Sequence, residues 1–224
     1  MSAHRTNSYR LAWVSLVAML TGCAGSAASP DWMMNAVDAS HAAAMAFFSG
    51  NDKLARYEFA KARSEVAQTG KPNLVARVEL TRCAAHLASL VIAPCPGFER
   101  LQEDVGPTEL AYAAFLTRPL TAPESASLPI QYRALAAAGT DTARTAALRA
   151  ITDPFSRLIA AAVLIRDAHG TPEILSLAID TASENGWRRP LLAWLGASAS
   201  VAERNGQTAL AMGLRRRMSL VTGD

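Results

Sequence analysis

Lysine is almost missing from this chain: three lysines stand against nineteen arginines. With abundant alanine, that imbalance reads as the coding bias of a GC-rich genome rather than a demand of chemistry. Aromatic residues are scarce, at 6% of 224, so the core must be built from small side chains in closely approaching elements. Few segments alternate β-branched with polar residues, so no sheet is expected. A strong excess of one charge is also lacking. The formal net charge is +3 with no basic stripe, and a nucleic-acid partner is excluded on that ground. Cysteine is limited to Cys23, Cys83 and Cys95, and His41, His86 and His169 lie in separate segments. None has a neighbour at metal-ligand spacing, so neither a zinc site nor another metal site is expected. There is no glycine-rich phosphate loop and no serine–lysine motif. Gly196-Ala197-Ser198-Ala199-Ser200 lacks the second glycine of a nucleophile elbow, and no strand precedes it. No apolar run reaches the roughly 20 residues that span a bilayer.

One shorter run is informative. His4, Arg5 and Arg10 precede the apolar stretch Leu11 to Leu20, which ends in Leu20-Thr21-Gly22-Cys23. Basic residues, a short apolar core and small residues at a cut site make an export signal. The four residues 20–23 resemble the lipobox of bacterial lipoproteins. That resemblance implies removal of residues 1–22, a lipid on the thiol of Cys23, and no need for a spanning helix. Ala24 stands where aspartate would resemble an inner-membrane retention signal. The expectation is therefore the outer membrane, with a lipid-anchored domain on its periplasmic face. Residues 23–30 form a short lipidated tether, and residues 31–224 the domain. Without Arg5 and Arg10, twenty basic residues face nineteen acidic ones, so the exported chain is almost neutral.

Cys83 and Cys95 remain for an oxidising compartment, where a lone pair reads first as a disulfide. A helix through Cys83 carries the chain away by about 1.5 Å per residue. The bond therefore requires Pro94 and Pro96 to turn the chain back, or the helix to end early.

From Asp31 onward, helix follows helix. Breaks fall at Ser49-Gly50-Asn51, Thr69-Gly70-Lys71-Pro72, Pro94 to Gly97, Thr140-Asp141, Asp153-Pro154, Thr171-Pro172, Arg189-Pro190 and Gly206. Several pair a capping side chain with proline at the first helical position. Residues 119–129, with three prolines, are expected as the longest loop and a seam. About ten helices with tight turns give an all-α fold of stacked antiparallel helical hairpins. Ala55, Phe59 and Ala62 follow Gly50 at spacings of four and three. They resemble the second helix of a tetratricopeptide repeat, which implies a tetratricopeptide-like αα solenoid with all three residues buried. The proline expected near the repeat's end is absent at Ala67.

Few residues suggest chemistry. Glu99, Glu103, Asp104 and Glu109 concentrate acid where paired carboxylates would be needed to cleave a glycan, although a short helix usually solvates such charge. The clusters Arg188-Arg189 and Arg215-Arg216-Arg217 are read as cations at helix C-termini or as a contact surface; Arg215, Arg216 and Arg217 are the candidate contact residues. Trp194 is expected in the core, and Trp187 as an anchor or a lid over the hairpin. The expected function is a non-enzymatic interaction or assembly scaffold of the envelope. It would need no cofactor, and its partners would be membrane lipid through acylated Cys23 and an envelope protein. The competing expectation is an envelope enzyme such as a peptidoglycan hydrolase.

Overall fold

In a computed structural model of the chain, residues 29–223 are described. The expected export signal, the lipobox-like residues 20–23 and most of the expected tether lie outside them. Residues 31–224 form one compact unit by themselves. Among the described residues there are twelve α-helices and no strand. They are α1 (Asp31–Ser49), α2 (Asp52–Ala67), α3 (Pro72–Ala88), α4 (Pro96–Glu99), α5 (Pro107–Thr117), α6 (Ala122–Ser127), α7 (Ile130–Ala136), α8 (Asp141–Ala150), α9 (Pro154–Arg166), α10 (Pro172–Glu184), α11 (Arg188–Arg204) and α12 (Thr208–Thr222), with one 3-10 turn at Gln102–Asp104.

The starts follow local chemistry. The side chains of Asn51, Thr140, Asp153 and Thr171 accept hydrogen bonds from the backbone N–H groups of Leu54, Ala143, Ser156 and Ile174. Each satisfies a donor that the first helical turn leaves free. Proline opens α3, α4, α5, α9 and α10, where its missing N–H costs nothing.

Residues 119–129 are not simply a loop. Thr121 and Glu124 form a reciprocal capping box, and α6 grows from it despite three nearby prolines. A proline in the first turn of a helix is tolerated, which is why their number misleads.

Two groups of longer helices, α1–α3 and α9–α12, hold most of the core, and the shorter helices α4–α8 connect them. Ala55, Phe59 and Ala62 are all buried. Together with Val66 they form the stripe by which α2 packs on α1 and α3. The α3 helix packs on α9, and α11 returns to α1. The hairpins therefore stack, but the last group closes back onto the first. Trp194 on α11 is fully buried, and its indole N–H donates to the Ala88 carbonyl at 3.0 Å. Trp187 lies 4.8 Å from Phe48, ring centre to ring centre, and so covers the end of the first hairpin. Arg189 sits beside it. Its guanidinium pairs with Asp52 at 2.7 Å and lies 4.0 Å from the centre of the Phe47 ring.

Candidate interaction surfaces

The α3 helix stops at Ala88, well before the break at Pro94 to Gly97. Leu90 takes the left-handed conformation with φ 58°. Its N–H and that of Val91 return to the carbonyls of Leu87 and His86. This early stop lets the chain double back, and Cys83 and Cys95 form a disulfide with Cα atoms 5.9 Å apart. The returning segment lies flat on α3. A Cβ on Gly97 would come 2.0 Å from Oε2 of Glu79, so a side chain there would push the Glu79 carboxylate aside. Glu79 is buried, and its carboxylate accepts from Arg63 Nε at 3.0 Å, with Arg82 Nε at 3.9 Å.

Between this fastened segment and α5 runs a groove of about 640 Å³. Leu80, Phe98, Ala114 and Leu116 form its buried floor. On its rim Ile92 is 65% exposed and Leu110 43%. Glu99, Gln102 and the Arg118–Glu124 ion pair border it. Hydrogen bonds from Arg118 and Thr121 hold the Glu124 carboxyl down at about 2. The groove can take apolar side chains, and its borders are charged at neutral pH.

A second cavity, of about 320 Å³, opens beside α5 and α9. Tyr112 and Tyr132 stack at 5.8 Å, and Phe115 lies 4.7 Å from Tyr132. Burial pushes the Tyr132 phenol up to about 12 and the Tyr112 phenol well above its usual value, so both hydroxyls stay protonated. Arg77 Nε donates to Glu109 at 2.8 Å on the cavity's edge. Glu109 is buried in that ion pair, whereas Glu99, Glu103 and Asp104 are exposed on other short turns. The acidic stretch is thus divided between a structural ion pair and solvated charge.

The basic clusters are not helix C-termini. Arg188 and Arg189 open α11, and Arg215–Arg217 occupy the middle of α12. Arg189 is used internally, as described above. Arg215 pairs with Glu203 on α11 at 2.6 Å, while Arg216 and Arg217 are exposed. The sequence alone could not separate these uses, because both pairings cross between helices. His41 is exposed and His169 follows the end of α9. His86 stacks on Phe47 at 4.5 Å. No group of histidine, cysteine or acidic side chains among the described residues could hold a metal ion, and none of those residues forms a helix long and apolar enough to cross a membrane. Cys23 lies outside the described residues. No protein family, no curated protein and no solved structure matches this chain.

Proposed function

We propose that the chain is an envelope lipoprotein, anchored through an acylated Cys23 to the outer membrane, whose tetratricopeptide-like helical domain binds a protein partner and catalyses no reaction. The observation that carries the binding reading is the apolar groove beside the Cys83–Cys95 bond, with Ile92 and Leu110 exposed on its rim. A rim fixed by a disulfide loses little freedom when it is occupied, and such preorganisation favours binding. Acidic Glu99 on the rim, with Glu103 and Asp104 in the following turn, outweighs Arg100. The fitting partner is a segment that offers apolar side chains flanked by basic ones.

The test is in-cell crosslinking of the lipidated protein, comparing the wild type with an Ile92→Glu/Leu110→Glu double variant. Loss of a specific crosslinked band in the double variant supports the groove. Retention of that band, with its loss on changing Arg215, Arg216 and Arg217 to glutamate, moves the contact to α12. Degradation of peptidoglycan by the purified protein overturns the binding reading. Fatty-acid labelling that persists in a Cys23→Ser variant overturns the anchor.

A further inference from the structure

The first two turns of α1 leave three large apolar side chains uncovered. Met33 is 41% exposed, Met34 50% and Val37 63%. At about 100° per residue on a helical wheel, these three lie within one arc of roughly 100°, together with His41. Ala36, Ala39 and Ala43 lie on the opposite side and are buried. The acids Asp31 and Asp38 lie beyond one edge of the apolar arc, next to Met34, and both are exposed. Because α1 and α2 form an antiparallel hairpin of similar length, α1 begins at the end where α2 gives way to Lys71. The tip carries two acids, Asp31 and Asp38, and one base, Lys71.

We infer that this tip of α1 rests in the headgroup layer of the membrane and fixes the orientation of the domain. The inference rests on the proposed acylation of Cys23. The occupant is argued from chain length. Only the seven residues 24–30 separate Cys23 from Asp31, and they span at most about 25 Å. An acyl anchor therefore holds Met33, Met34 and Val37 near the lipid surface at high local concentration, where even a small apolar area is enough to dock. Burying apolar side chains at the interface is favourable. With two acids and one base at the tip, charge offers no attraction to anionic headgroups; the contact is apolar, so salt should not release it.

The experiment uses the full lipidated chain reconstituted in vesicles of phosphatidylethanolamine and phosphatidylglycerol. An environment-sensitive fluorophore is attached at Val37→Cys and, in a separate sample, at Leu210→Cys on α12. Lipids brominated near the headgroup serve as quenchers. The expected result is a blue-shifted, quenched signal at position 37 that survives high salt, and an unquenched signal at position 210. If the Val37→Cys label disturbs folding, Met34→Cys repeats the measurement. A water-like signal at position 37 in a vesicle-bound protein overturns the inference. So does a disulfide-linked dimer of the unlabelled Val37→Cys protein on the vesicles, because a second copy would then cover the patch. A protein that does not float with vesicles at all, and takes up no fatty-acid label, shows the anchor reading to be wrong instead.

Discussion

The first and last hairpins turn in the same way and pack very differently. Gly50 ends α1 with φ 92°, and Gly206 ends α11 with φ 69°. In each turn the glycine N–H returns three residues, to Phe47 or Glu203, and the next N–H returns five, to Ala46 or Ala202. This is the same helix stop, made by a residue that adopts the left-handed region without strain. Beyond the turn the two hairpins diverge. The α2 helix buries Ala55, Phe59, Ala62 and Val66 between α1 and α3. The α12 helix buries only Ala211 and Leu214, chiefly against α11, and leaves Leu210, Met212 and Leu220 exposed. Turn chemistry thus decides that a hairpin forms, and the stripe after the turn decides how firmly it is held.

The sharpest test truncates the two stripes. Phe59→Ala should cost about 3–5 kcal/mol, because a buried ring leaves a cavity among residues that cannot follow it. Leu214→Ala should cost about 2 kcal/mol, at the low end for leucine, since a helix covered on one side can settle into the gap. Chemical denaturation of both variants measures the difference. Equal losses would break the comparison and show that α12 is as deeply held as α2.

Much of this contrast was legible from local signals. The caps at Asn51, Thr140, Asp153 and Thr171 are side-chain chemistry within three residues of each helix start. The Ala55–Phe59–Ala62 stripe is periodic, and the lone cysteine pair needed only a compartment. What could not be read depends on distant residues meeting. The groove joins Leu80, the segment 92–102 and α5, and no local pattern links them. The early end of α3 carries no sequence signal, because Leu90 takes a conformation that normally marks glycine. The tilt of Arg189 onto Phe47 and Asp52 depends on α11 returning to α1, which a linear stack does not imply. The α6 helix is a different case. Its signal, Thr121 followed three residues later by Glu124, is a capping box in the sequence, hidden by the weight given to proline.

The equality of the two turns can be tested separately from the stripes. A Cβ at Gly50 or Gly206 would meet nothing within 4 Å, so alanine introduces no collision at either site. It does force an L-residue into the left-handed region, at about 1 kcal/mol each. Gly50→Ala and Gly206→Ala should therefore lower stability by similar amounts in thermal melts. A clearly larger loss at Gly50 would mean that the turn itself, and not only the stripe, is better integrated in the first hairpin.

The smallest expected effect is a pH dependence at the end of the first hairpin, where α3 and α11 pack on it. His86 of α3 stacks on Phe47 of α1 there, whereas α11 and α12 contain no histidine. Burial lowers the His86 pKa below its usual 6.5, and the charges of Arg82 and Arg189 push in the same direction against Asp52. The folded protein thus resists a proton that the unfolded chain accepts. By linkage, stability is full above the unfolded value and declines as pH falls from 6.5 toward the lowered folded value, after which the His86 contribution levels off. Melts of the wild type and of His86→Gln between about pH 7.5 and about pH 5.5 isolate this contribution, since glutamine takes up no proton. The variant should lose less stability across that window. Amide exchange in α1 near Phe47 should quicken at the acidic end in the wild type, while exchange in α12 should not respond to His86. Equal pH slopes in the two proteins would show that the imidazole is as easily protonated in the stack as in the open chain, and the packing advantage of the first hairpin would then have no electrostatic counterpart.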